Sequence, residues 1–339
     1  MKKTICAVLS LALTAGIFTG CKPSSAPEND RSKLKVVTTI FPEYDWVREI
    51  LGDQADHVEL TMLLDNGVDL HSFQPTADDM VAISNCDLFV YTGGESDAWV
   101  QDALANVSNP NLVTLNLMEV LGDGVKEEVV LEGMQETDHS HQTDEDQEFH
   151  GAHEEEHQEE TDNDEHIWLS LKHAAVLCRS LADTLSKIDP DHQTTYAEHA
   201  ASYIQKLTDL DARYRQAVDA APRRTLLFAD RFPFRYLADD YGLTCYAAFS
   251  GCSAETEASF ETVAFLSGKV DELSLPYVLT IEGATHGVAE TVVRNTAAKN
   301  QGILVLDSMQ SVTAADLASG TSYLAVMERN LETLKTALA

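Results

Sequence analysis

Two short segments carry the side chains best suited to metal chemistry. Asp69-Leu70-His71-Ser72-Phe73-Gln74-Pro75 lies between an apolar run and a helical stretch. Asp164-Glu165-His166-Ile167-Trp168-Leu169 lies where an acidic tract gives way to a helical pattern. Each sets an imidazole at a loop junction with an aromatic residue two positions on. In α/β folds such loops form the edge where ligands bind. Two imidazoles with a carboxylate suit Zn²⁺, and with more oxygen Mn²⁺. Asp307, in Leu306-Asp307-Ser308, ends the last apolar run and either faces that edge or caps a helix. Glu282 and His286 follow the run Tyr277–Ile281 and fall on the same edge.

A third segment is a false friend. His153-Glu154-Glu155-Glu156-His157 matches the H-E-x-x-H pattern of zinc proteases, which needs a helix with an apolar back to hold its ligands. Here the flanks are Gly151, Ala152, Glu and Gln with no apolar period. With His139, His141 and His150, the two histidines read as a weak auxiliary metal loop, or as plain solvated chain. An extracellular zinc protease is therefore the unfavoured alternative. No P-loop, G-x-G-x-x-G or G-x-S-x-G is present.

Charge supports the emphasis on cations. The 339 residues hold 23 Lys and Arg against 56 Asp and Glu, a net charge of −33. This excess repels phosphate, which argues against nucleic acid as a partner. Residues 127–165 hold 17 of the acids and no Lys or Arg, so about half the excess sits in one tract. A hydrophobic content of 44% is enough for a sizeable core.

The N-terminus reads as a targeting segment. Lys2 and Lys3 precede an apolar run, Ile5 to Thr19, too short to span a bilayer comfortably. Ile17-Phe18-Thr19-Gly20-Cys21 looks like a bacterial lipoprotein signal (residues 1–20), with Cys21 as the lipidated residue. Residues 21–34 then form a polar tether. The expected location is extracytoplasmic, anchored to the cell membrane by lipid alone. Cys245 and Cys252 are seven positions apart, and a local disulfide or two free thiols are both open.

The elements that must position these residues alternate strand and helix. Runs at 35–40, 58–63, 87–91 and 112–115 read as strands, with helices near 42–52, 75–85 and 95–106. This gives an α/β lobe with a mostly parallel sheet over 35–165, including the loop 127–165. A helical region spans 166–222. Within it Pro190 opens a long helix, whose Tyr196, Tyr203, Leu207, Leu210 and Tyr214 fall on one face. Strands near 225–229, 244–248, 277–281 and 303–306 alternate with helices in a second α/β lobe, 223–339. The expected architecture is two α/β lobes joined by one rigid helix.

These segments resemble the zinc- and manganese-binding lipoproteins of bacterial ABC importers, the ZnuA/TroA-like family. Phe41-Pro42-Glu43-Tyr44 is similar to that family's opening. His71-Ser72-Phe73-Gln74-Pro75 is similar to its H-x-F-x-P first-ligand motif. Asp164-Glu165-His166-Ile167-Trp168-Leu169 is similar to its D-P-H-x-W motif, with Glu165 in place of Pro. Asp307 resembles its C-terminal carboxylate ligand. The resemblance implies a monomeric receptor, not an enzyme, that holds Zn²⁺, or alternatively Mn²⁺, between its lobes. It also implies delivery of the ion to an ABC permease driven by a cytoplasmic ATPase.

One position departs from the pattern. Aligning Phe234 and Tyr236 puts Arg231 where the family carries a third His or a Glu, and a guanidinium cannot coordinate a cation. The expected ligands are therefore His71, His166, His286 and Asp307, with Asp230, Glu282 or water as alternatives to His286.

Overall fold

The computed structural model describes residues 33–135, 163–253, 257–283 and 285–339. Cys21 and the loop histidines His139, His141, His150, His153 and His157 lie outside the described residues. Among the described residues, no helix is long and apolar enough to cross a membrane.

Two four-stranded parallel sheets organise the chain. The first contains β1 (Leu34–Thr38), β2 (Val58–Met62), β3 (Leu88–Tyr91) and β4 (Val113–Asn116). The second contains β5 (Thr225–Phe232), β6 (Thr244–Ser250), β7 (Tyr277–Thr280) and β8 (Gly302–Val305). Their orders, β2-β1-β3-β4 and β6-β5-β7-β8, are the same winding used twice. Parallel sheets are covered on both faces, which is why Val36, Val37 and Thr38 are all buried in succession.

In the first lobe the helices are α1 (Phe41–Leu51), α2 (Ala77–Asn85), α3 (Val100–Leu104) and α4 (Leu117–Leu121). Then come α5 (Leu171–Ile188) and α6 (Gln193–Ala220). The second lobe adds α7 (Arg235–Tyr241), α8 (Phe260–Leu273), α9 (Gly287–Asn295), α10 (Ala314–Ala318) and α11 (Tyr323–Ala337). The expected architecture of two α/β lobes joined by a long helix is what the chain adopts.

The connecting helix α6 has 28 residues, about 42 Å at 1.5 Å per residue. Its buried face is Tyr196, Ala200, Tyr203, Leu207, Leu210, Tyr214 and Val218. The Tyr214 hydroxyl donates to the Met327 carbonyl of α11 at 2.6 Å, tying the connector to the second lobe. As the sequence leads one to expect, the long helix follows Pro190, and the earlier helix of the same region packs against it as a hairpin. The 18-residue α5 precedes a 3-10 turn at Pro190–His192, and α6 follows it. Pro190 breaks the run because it cannot continue the preceding helix.

The stretch 95–106 is also less helical than its pattern suggests. Only Val100–Leu104 is α-helix. The residues before it form turns, Ala98 N–H to the Glu95 carbonyl and Val100 N–H to the Asp97 carbonyl. The Gly93 N–H donates to Asp97 Oδ2 at 2.9 Å and the Ser96 N–H to Glu165 Oε1 at 2.8 Å.

Candidate metal centre

In each sheet the winding reverses beside the first strand, so a crevice opens between β1 and β3 and another between β5 and β7. His71 and His166 come together at this edge. His71 lies in a 3-10 turn, Leu70–Ser72, capped by Asp69, whose Oδ1 accepts the His71 N–H at 3.1 Å. His166 sits just before the turn Ile167–Leu169 and is fully buried. The two Nε2 atoms are 3.2 Å apart.

Each ring is oriented through its other nitrogen. His166 Nδ1 meets Asp164 Oδ1 at 2.9 Å, so that nitrogen carries the proton and Nε2 presents a lone pair. His71 Nδ1 meets Ser96 Oγ at 2.7 Å. A hydroxyl can donate or accept, so His71 can give its Nε2 proton to His166 or turn that lone pair toward an ion. Burial, then the close approach of the His166 ring, holds the His71 imidazole well below its ordinary range, which favours its neutral form.

Glycine and charge shape the rest of the wall. A Cβ on Gly251 would stand 2.8 Å from His166 Cε1, so the loop after β6 passes this close only without a side chain. Gly94, at φ 84°, leaves room in the same way for the Glu165 carboxylate. Glu165 Oε2 is buried without a hydrogen-bond partner, 3.7 Å from His71 Nδ1. Burial raises the Glu165 carboxyl above its usual range.

Arg231 is a clamp. Its Nη2 donates to Asp69 Oδ2 at 2.6 Å, joining the end of β5 to the cap of the His71 turn. Burial pushes the Asp69 carboxyl up, but Arg231 outweighs it and holds the group below its ordinary value. Asp230 turns away, accepting from its neighbour Arg231 N–H and from Ile281 N–H.

The expected donors of the second lobe have partners of their own. His286 Nδ1 is 2.9 Å from Thr280 Oγ1, and the residue lines a cleft of about 660 Å³ with Asp69, Ser72, Arg231 and Glu282. Asp307 Oδ1 accepts the Met309 N–H at 2.9 Å, and Glu282 accepts from Ser308 and Gln310. Burial, then Asp307, raises the Glu282 carboxyl to about 7. Neither His286 nor Asp307 joins a group of converging ligand atoms among the described residues.

One residue does join, a cysteine that the sequence offers only as a disulfide candidate. A ring nitrogen of each of His71 and His166 and the Sγ of Cys252 lie within 4.8 Å of one another. Cys252 follows β6 and forms no bridge: among the described residues Cys86, Cys178, Cys245 and Cys252 are free thiols. Its signal in the sequence was slight, a Gly-Cys pair closing a strand.

Residues 36–337 match the family described as ZnuA, zinc-uptake complex component A, periplasmic. The chain belongs to this family. Among relatives in it, the zinc-binding lipoprotein AdcA of Streptococcus pneumoniae is 32% identical over 303 residues, 89% of this chain and 55% of AdcA. The chain thus spans about half the length of that relative. The high-affinity zinc uptake system protein ZnuA of Bacillus subtilis is 29% identical over 308 residues, 90% of this chain and 88% of its own. The Zn(II)-bound ZnuA-like domain of Streptococcus pneumoniae AdcA superposes with a TM-score of 0.67 at 28% identity, covering 90% of this chain and 99% of that domain.

Proposed function

We propose that this chain is an extracytoplasmic receptor that captures Zn²⁺ and hands it to an ABC permease driven by a cytoplasmic ATPase. Capture, with no turnover, is its task. The observation that carries the reading is the His71–His166 pair. Two Zn–N bonds of about 2.0 Å at a tetrahedral angle place the nitrogens about 3.3 Å apart. The two Nε2 atoms already stand at 3.2 Å, and each ring is fixed from behind. Family membership and the zinc-related names of the relatives support the same ion. The lipoprotein-like segment ending at Cys21 fits a membrane-tethered location, as the name of AdcA does.

In this reading His71 and His166 form the core of the site. His286 would reach the ion only by leaving Thr280 and crossing the cleft it lines, and Asp307 only by releasing the Met309 N–H. Isothermal titration of the purified chain with Zn²⁺, in competition with Mn²⁺, tests the proposal. His71→Ala and His166→Ala should each weaken Zn²⁺ binding by roughly 100-fold or more, since loss of even an outer-shell partner costs 10–100-fold. Zinc affinity no tighter than micromolar, or alanine variants that bind like the parent, would sink it.

A further inference from the structure

We propose that Cys252 is the donor the second lobe contributes to the His71–His166 pair, so that the ion is held by two imidazoles and a thiolate. This rests on the zinc-receptor reading above and specifies its ligand set. Position comes first. The three ligand atoms lie within 4.8 Å of one another, and they form the group that converges in this way among the described residues. Around a tetrahedral Zn²⁺, with bonds of about 2.3 Å to sulfur and 2.0 Å to nitrogen, the S···N separation is about 3.5 Å. The thiol needs to close by about 1.3 Å at most, a side-chain adjustment rather than a lobe rearrangement.

Support from behind comes second. His166 is held by Asp164 and His71 by Ser96. Cys252 is held in the same manner by Glu128, which accepts its backbone N–H at 3.1 Å and hydrogen-bonds its thiol. Partners of this kind orient metal ligands and raise their basicity. The bare Gly251 brings the loop close enough to His166 for the next residue to reach the pair. The neighbouring cation is already neutralised: the Arg231 charge is committed to Asp69. Glu165, buried beside His71, leaves an unpartnered oxygen there that a cation would satisfy.

Binding is an exchange. The S–H bond breaks, a Zn–S bond forms, and the proton leaves through Glu128 to solvent. A thiolate also biases the choice of ion, because soft sulfur suits Zn²⁺ while Mn²⁺ favours oxygen.

The test uses the full chain loaded with Co²⁺, and with Zn²⁺ in competition titrations, for the parent, Cys252→Ser and Cys245→Ser. The parent and Cys245→Ser should show sulfur-to-cobalt charge-transfer absorption in the near ultraviolet, and Cys252→Ser should lack it. Cys252→Ser should also bind Zn²⁺ at least about 10-fold more weakly and lose part of its discrimination against Mn²⁺. If the parent binds zinc tightly through His71 and His166 yet shows no thiolate band, the Cys252 assignment is overturned and the receptor reading stands. If the parent binds neither ion, both fall. Should Cys252→Ser fail to fold, the parent's cobalt spectrum decides alone.

Discussion

Arg231 and Asp69 bring the lobes together by charge at the edge of the site. The pair is 83% shielded on each side, with both side chains 17% exposed. Removing one partner leaves the other ion largely buried without its partner, which costs more than the pair's net worth. Arg231→Met should destabilise the chain by about 1–3 kcal/mol in urea denaturation. Adding Asp69→Asn should recover part of that loss, and a double-mutant cycle reads the coupling. Equal, additive losses would show that the two side chains act independently. At this scale the sequence was legible where a residue announces itself by its neighbours. His71 and His166 stand in short motifs with flanking aromatics. Cys252 does not, because its partners lie 181 and 86 positions away along the chain and only folding brings them together. Arg231 was visible as a departure, while its partner Asp69, 162 positions away, was not.

The connector α6 is held by a stripe of large side chains. Leu207 is fully buried at its middle, against the shared core of both lobes. Leu207→Ala should cost about 2–5 kcal/mol by guanidinium denaturation, the range for a buried leucine cut to its Cβ. The exposed neighbour Gln205→Ala should change stability by less than about 0.5 kcal/mol. A loss at Leu207 no larger than at Gln205 would mean that the helix is not part of the cooperative core. The stripe was readable in the sequence because a 3.6-residue period writes itself into the spacing of Tyr196, Tyr203, Leu207, Leu210 and Tyr214. The helix α5 was harder to separate from it. Its own apolar face runs into the same glycine-free stretch, and the turn between the two is marked only by Asp189 and Pro190. Around 95–106 the helical pattern yields to a local side-chain turn, Gly93 N–H to Asp97, and to a tertiary bond, Ser96 N–H to Glu165, which no local rule anticipates.

As a whole the molecule repeats one winding and fills the first crevice with buried acid. Glu43, wholly buried, accepts from Thr39 N–H and Oγ1, Ile40 N–H and Thr92 Oγ1, and so links the ends of β1 and β3. Burial, then Asp97, raises Glu43 to about 8, and burial, then Glu165, raises Asp97 to about 7. Both folded values exceed those of the free side chains, so the native state binds extra protons. Their contribution to stability is complete below about pH 4 and is lost as pH climbs through 7 to 8. The metal-free protein should therefore melt at progressively lower temperature between about pH 5 and pH 8. Glu43→Gln should flatten that slope, since a glutamine can keep accepting from Thr39 while donating to Thr92 Oγ1. A slope unchanged in Glu43→Gln would show that this group does not titrate there. The two-lobed plan was legible in the alternation of strand and helix. The hydrogen bonds that cross between lobes were not, Trp168 Nε1 to the Ser308 carbonyl at 2.8 Å among them. That indole also rests against His166, with ring centroids 5.3 Å apart. The chain has only two other tryptophans, Trp46 and Trp99, each packed against other aromatic rings. Trp168 thus gives the protein a built-in optical gauge, whose emission senses the His166 imidazole on one side and the grip of the opposite lobe on the other.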